Sequence, residues 1–215
     1  MSEPTDDRFL RPYRPGDLDA LYDIAARTGN AGGDASHLLD DPRLVGHLWA
    51  GPYVAFEPHH AHILDDGCGR PVGYVLATLD AVAFEARCER EWWPSLRERY
   101  PIDPDGERLD DLLISLLHRR PPADPAIDGP YPSELHIDLL PAAQGKGWGR
   151  RMIDAVLGSL RAAGSPGVHL GTSVANTRAI AFYEHLGFER VHQADHRRHA
   201  VDFVRRLDAA SGNDR

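Results

Sequence analysis

A run of glycines and basic residues, Gln144-Gly145-Lys146-Gly147-Trp148-Gly149-Arg150-Arg151, lies between two unlike stretches of the chain. Before it, residues 135–140 are short and apolar and are closed by Pro141; after it, residues 152–163 carry apolar side chains at helical spacing. The order this predicts is strand, glycine-rich turn, helix. The first N–H groups of a helix have no partner inside it, and with the helix dipole they form a seat for an anion, most often a phosphate. Gly147 and Gly149 lack a Cβ, so the backbone can turn sharply and a pyrophosphate can come close. Lys146, the sole lysine of the chain, adds positive charge there together with Arg150 and Arg151.

Three phosphate loops have related forms. The P-loop requires Ser or Thr after its lysine, whereas Lys146 is followed by Gly147. The dinucleotide fingerprint G-x-G-x-x-G does not fit glycines at 145, 147 and 149, and the next strand, residues 168–174, holds no acid. The third form, Q/R-x-x-G-x-G/A, is met by Gln144, Gly147 and Gly149. Downstream, Asn176-Thr177-Arg178-Ala179-Ile180-Ala181-Phe182-Tyr183-Glu184-His185-Leu186-Gly187-Phe188 meets a second pattern, N-x-x-A-x-x-F-Y-x-x-x-G-F. In these two motifs, taken in order, the chain resembles the GNAT superfamily of acyl-CoA N-acyltransferases. The resemblance implies an α/β (α+β) fold with a mixed, mostly antiparallel central sheet flanked by helices on both faces. It also implies a cofactor site where strands four and five splay apart.

At 215 residues the chain is long enough for a sizeable core, and we read it as a single domain with a frayed tail at residues 208–215. No apolar run reaches the ~20 residues of a membrane helix, and residues 1–7 are polar, without a signal-peptide core. Cys68 and Cys88 fit no metal or redox spacing, which with the foregoing leads to a cytoplasmic protein with free thiols and no membrane partner. The formal net charge of −9 argues against general nucleic-acid binding and leaves a local basic site for CoA untouched.

Taken in order, residues 8–14 read as a first strand and Asp17 as the cap of the helix that follows. Three glycines at 29, 32 and 33 break that helix; in the family this link borders the acceptor site, which makes Asp34 and His37 candidate substrate contacts, while Asp34 also reads as the cap of a turn. A second helix over residues 37–49, with an interruption or a fresh start at Asp41-Pro42, is predicted to end at Gly51-Pro52, with a strand beginning at Tyr53 and a hairpin turn carrying His59, His60 and His62 as solvated residues. Val72-Gly73-Tyr74-Val75-Leu76 alternates as a strand does and resembles the family's third. Residues 80–132 form a helical insertion between strands 3 and 4: helical up to Pro94, helical again over 109–117, then a proline-rich loop. Trp92, Trp93 and Tyr100 within it read as core packing. Two closing strands end the chain, and His192, His196 and His199 lie in a charged turn between them.

Period two places His136 and Asp138 on one face of the central strand. The family resemblance then implies the roles. Gln144, Gly145, Lys146, Gly147, Trp148, Gly149 and Arg150 would bind the pyrophosphate of acetyl-CoA. Main chain near Leu139 and Leu140 would hold the pantetheine and polarise the thioester carbonyl, with Asn176 bonding the arm from the other side. Tyr183 would be the general acid toward the departing thiolate. Asp138 would be the base, acting directly, through water or by way of His136; it also reads as a ligand for the acceptor's ammonium group or as a paired buried acid. No metal is implied. The acceptor is a small-molecule or peptide amine, and the protein a monomer or homodimer. A non-catalytic acetyl-CoA-binding module is the alternative. Thr28-Gly29-Asn30-Ala31-Gly32-Gly33-Asp34, Gly51-Pro52-Tyr53 and Trp92-Trp93-Pro94 further resemble the bacterial relatives of the acetyltransferase-like domain of O-GlcNAcase, a domain regarded as a pseudo-acetyltransferase in eukaryotes.

Overall fold

The computed structural model describes residues 8–191 and 200–207. The N-terminal seven residues, His192, His196, His199 and the 208–215 tail lie outside them. The elements run β1 (Phe9–Pro12), α1 (Leu18–Thr28), α2 (Arg43–Trp49), α3 (Gly51–Phe56), β2 (His62–Asp65), β3 (Pro71–Thr78), α4 (Ala81–Glu91), α5 (Trp93–Arg99), α6 (Leu109–His118), α7 (Pro125–Asp128), β4 (Ser133–Leu139), α8 (Trp148–Ala162), β5 (Gly167–Ser173), α9 (Thr177–His185), β6 (Glu189–Arg190) and β7 (Ala200–Arg206). The strands form one sheet in the order β1-β2-β3-β4-β5-β7-β6, antiparallel throughout except at β4 and β5.

Strand alternation divides the interior in two. On β3, Tyr74 and Leu76 face a core built with Leu21, Ile24, Leu44 and Leu48 of α1 and α2; Val75 and Ala77 face a second core with Met152, Ile153, Val156 and Leu160 of α8. The insertion belongs to the first core, where Trp93, Leu96, Tyr100, Leu113 and Leu117 are buried, as expected for Trp93 and Tyr100. Trp92 is half-buried against the same core and donates its indole N–H to the His47 carbonyl at 3.1 Å. A buried ion network pins the edge of the sheet to α1. Arg11 donates Nη1 and Nη2 to the two oxygens of Asp17, at 2.7 and 2.8 Å, and Nε to Asp65 at 2.9 Å. Asp17 occupies the cap position of α1, yet its side chain serves Arg11 and not the helix N–H groups.

Several expectations are corrected, and three of them share a cause. Residues 53–56 are helical, because Gly51-Pro52 starts α3 where it was expected to stop a helix. Pro94 likewise opens α5 in place of ending α4, and Pro125 opens α7 inside the expected loop. Proline has no N–H to lose in a first helical turn, and its fixed φ suits one. The second helix takes its fresh start at Asp41-Pro42: residues 36–38 make a separate 3-10 turn, and α2 begins at Arg43. Of the three clustered histidines only His59 is exposed. His60 Nδ1 lies 2.7 Å from the Ser159 hydroxyl, and His62 sits within β2 with its Nε2 buried and without a partner among the described residues.

His47 of α2 packs edge-on against Tyr22 of α1, with Nδ1 3.0 Å from the Tyr22 hydroxyl and Nε2 buried and unpartnered. Burial, helped by the charges of Arg43 and Arg99, lowers its pKa to about 4. An unfolded histidine titrates near ~6.5, so this group's contribution to stability is complete above that pH and is lost as pH falls toward 4. We expect urea unfolding to show a loss of about 2 kcal/mol from this residue between pH 7 and 4, and a shallower decline in His47→Gln. Equal slopes in the two proteins would remove His47 from the account.

Candidate active site

β4 and β5 pair at Ser133↔Val168 and Glu134↔His169 and then part. The Leu140 N–H donates to the Val72 carbonyl at 3.0 Å, on the β3 side. Alternation along the strand therefore turns the backbone amides of Ile137 and Leu139 the other way, into the gap beyond the β5 ladder. The Leu140 N–H is thus already committed, and the amide of Ile137, a residue not singled out in the sequence, faces the gap beside that of Leu139.

The gap opens into a cavity of about 240 Å³. Ile137, Asp138 and Leu139 line one side, with Gln144 and Gly145 at the mouth of α8. Asn176, Arg178, Phe182 and Tyr183 of α9 line the other, and Thr28, Ala31 and Gly32 close the top. The loop after α1 approaches α9 closely: a Cβ on Gly32 would stand 3.2 Å from Asn176 Nδ2. Asn176 caps α9, its Oδ1 accepting from the Ala179 N–H at 3.1 Å, and so presents its Nδ2 end to the cavity region.

The glycine-rich stretch does several different things. Gly145 and Gly147 have φ of +75° and +78°, a left-handed backbone that β-bearing residues adopt at a cost. Gly147 is the N-cap of α8, and the N–H groups of Trp148, Gly149 and Arg150 form its open first turn. The Trp148 ring is buried in the second core, with Arg151 stacked over it at 4.5 Å, so only its backbone is available to a ligand. Gly149 serves packing: its absent Cβ would lie 3.0 Å from the Phe182 ring. Lys146, Arg150 and Arg151 are exposed. Gln144 has both polar ends engaged, donating Nε2 to the Leu139 carbonyl at 2.8 Å and accepting from Arg178 at 2.9 Å.

Asp138 is held from two sides. The Tyr74 hydroxyl donates to its Oδ2 at 2.6 Å, and His136 Nε2 lies 3.0 Å from the same oxygen. Oδ1 takes no hydrogen bond among the described residues. The His136 ring stacks beside Trp49 at 6.5 Å between centroids. Burial, reinforced by the Asp138 charge and hydrogen bond, raises the Tyr74 hydroxyl well above the ordinary phenol range. Tyr183 is 7% exposed, its ring among Phe182, Phe188 and Phe203. Its hydroxyl has no hydrogen-bond partner among the described residues, and burial together with the Asp138 charge raises it above the ordinary phenol value. The Tyr183 ring thus packs in the core, and the residue also lines the cavity.

Asp34 and His37 stand apart from this cavity. Asp34 is exposed and accepts from the Ser36 N–H and hydroxyl at 2.8 and 2.6 Å, a capped turn, and His37 is exposed beside it. The same loop contributes Thr28, Ala31 and Gly32 instead. Arg178, Phe182 and Ala179 also line the cavity and were not singled out in the sequence, although all three lie inside the second motif. Among the described residues no cluster of His, Cys, Asp or Glu is placed to hold a metal, and no helix is long and apolar enough to cross a membrane. Cys68 is exposed and Cys88 buried, both as free thiols.

The model of the acetyltransferase (GNAT) family matches residues 5–188 of this chain. A solved structure named SsHAT is 38% identical with a TM-score of 0.84, over 93% of this chain and 98% of its own. Mycothiol acetyltransferase of Geodermatophilus obscurus is 32% identical over 94% of this chain. Protein O-GlcNAcase of Rattus norvegicus is 25% identical over 83% of this chain. The chain spans 65% of the mycothiol enzyme's length and 20% of the O-GlcNAcase's.

A side chain at position 147 must take the left-handed backbone of the α8 N-cap. We expect Gly147→Ala to lower the unfolding free energy by about 1 kcal/mol in urea titration, although open space surrounds the added methyl group. An unchanged midpoint would show that the turn readily adopts another conformation.

Proposed function

Since the chain belongs to the GNAT acetyltransferase family, we propose that it transfers the acetyl group of acetyl-CoA to a primary amine within a ternary complex. The observation that carries this reading is that Asp138 and Tyr183 line one cavity, beside the open end of β4 and the N-terminus of α8. The α8 amides of residues 148–150, with Lys146 and Arg150, suit the pyrophosphate. The Ile137 and Leu139 amides suit the pantetheine, which would lie along β4 as a missing strand does, and the Leu139 region suits polarisation of the thioester carbonyl.

In this mechanism the amine arrives as an ammonium ion and gives one proton to Asp138, whose Oδ1 is uncommitted. Tyr74 and His136 hold the other oxygen, which orients the carboxylate and spreads its charge. The neutral nitrogen attacks the thioester carbonyl, an N–C bond forms, and the C–S bond breaks. Tyr183, like any phenol, is protonated at neutral pH, and burial raises it further. The same shift makes complete transfer to a thiolate, whose thiol titrates near ~8.5, uphill. Tyr183 therefore donates to the sulfur as charge develops, and the second proton lost by the nitrogen resupplies it. The products are an N-acetyl amine, a free thiol and one proton released. The acceptor is a small molecule or a peptide bearing a primary amine. The acidic Asp138, with Glu134 and His136 along the same strand face, suits a cationic one.

Calorimetric titration with acetyl-CoA and CoA, repeated with Gly147→Asp, is the first test. The wild type should bind, and a carboxylate at the phosphate seat should cost at least ~10-fold in affinity. A wild type that binds neither ligand would overturn the reading. With an accepted amine in hand, Tyr183→Phe and Asp138→Asn should each lower kcat by about 10- to 1,000-fold while leaving acetyl-CoA affinity within a few-fold. Near-normal turnover in both variants would remove these roles. CoA binding without transfer to any amine would favour the non-catalytic binding module.

A further inference from the structure

Arg178 lies in the first turn of α9 and lines the cavity, and the proposed chemistry gives it no task. The position is unfavourable for a cation, because the helix dipole places positive potential there. Among the described residues no carboxylate pairs with it. Its single recorded hydrogen bond runs from Nη2 to Gln144 Oε1 at 2.9 Å. A guanidinium has five N–H donors, so most of its capacity is left for a ligand.

Gln144 shows how that geometry is held. A guanidinium only donates and a main-chain carbonyl only accepts, so the orientation of the Gln144 amide follows from its two partners. Its Nε2 is committed to the Leu139 carbonyl at 2.8 Å and its Oε1 to Arg178. The result is a bridge from the end of β4 to the start of α9, across the gap where the sheet has opened. Gln144 and Gly145, in the turn that leads into the α8 N-terminus, line the cavity together with Arg178. An anion bound there would lie near the open α8 amides and the Arg178 guanidinium.

We propose that Arg178 is a phosphate ligand of the acetyl-CoA site, contributed from α9, and that Gln144 is the positioning residue that aims it. This rests on the acetyl-CoA reading and deepens it. Gln144 acts through Arg178 and the Leu139 carbonyl, and its side chain does not itself contact phosphate. The phosphate is either the pyrophosphate or the 3′-phosphate of CoA, which share the chemistry and are separated by the test below. Arg178 is exposed, so its replacement leaves the core intact.

The experiment is calorimetric titration of the full chain and of Arg178→Gln, Gln144→Ala and the double variant with CoA and with 3′-dephospho-CoA, each at several salt concentrations. Arg178→Gln should bind CoA about 10- to 100-fold more weakly and with a shallower salt dependence, a readout that loss of packing would not move. If 3′-dephospho-CoA suffers the same loss, the ligand is the pyrophosphate; if it binds wild type and variant equally, the ligand is the 3′-phosphate. Gln144→Ala should lose part of the same affinity and add little to Arg178→Gln, since both act through one contact. CoA affinity and salt dependence unchanged in Arg178→Gln would overturn the assignment while the acetyl-CoA reading stands. Fully additive losses would overturn the positioning role of Gln144. A wild type that binds neither ligand would overturn both readings together.

Discussion

The brief parallel contact between β4 and β5 is the constraint on which the rest of this structure depends. Two residue pairs join the strands, and beyond Glu134↔His169 the ladder ends. Backbone N–H and C=O groups inside a fold are nearly always paired, so a strand that keeps one neighbour and loses the other leaves polar groups turned toward open space. Here they include the N–H groups of Ile137 and Leu139, while the Leu139 carbonyl is taken up by the Gln144 side chain. α8 starts just past the end of β4 and α9 just past the end of β5, so the first turns of both helices border the opening. A continuous ladder would have closed the cavity and separated Asp138 from Tyr183.

Around that opening the two cores do different work. The second core, beneath α8 and α9, sets the spacing of the walls: Gly149 lets Phe182 come within van der Waals range, and Phe182 lines the cavity. The first core supplies the groups that hold Asp138. Tyr74 is fully buried in that core, yet its hydroxyl reaches the carboxylate on the neighbouring strand. A buried phenol with a raised pKa is a dependable donor, because it keeps its proton over the whole working range.

Much of this was legible in the chain itself. The order of the two motifs led to the sheet, the two-faced helical cover and the divergence of strands four and five. Period two put His136 and Asp138 side by side, and the structure joins them at 3.0 Å. Errors gathered where a residue has opposite meanings in different settings. Pro52 and Pro94 were read as ends of helices and prove to be beginnings, since a proline's missing N–H matters only to a helix that already extends before it. His60 and His62 were read as solvated because a hairpin turn was expected there; burial against α8 and within β2 is a property of their neighbours. Arg178 was passed over because a basic residue in a helix is ordinary until its surroundings are known.

The sequence by itself determined what is local and covalent: where turns need a left-handed backbone, which faces of strands and helices are apolar, and which side chains carry usable acids, bases and cations. Tertiary structure decided everything that requires two distant segments to meet. The commitment of the Leu140 N–H to Val72, the Tyr74 donation to Asp138 and the Gln144 bridge to Arg178 all follow from strand register and helix docking. Periodicity is written along one element at a time. Register is a choice among pairings that expose the same faces, and only the packing of the whole sheet makes it.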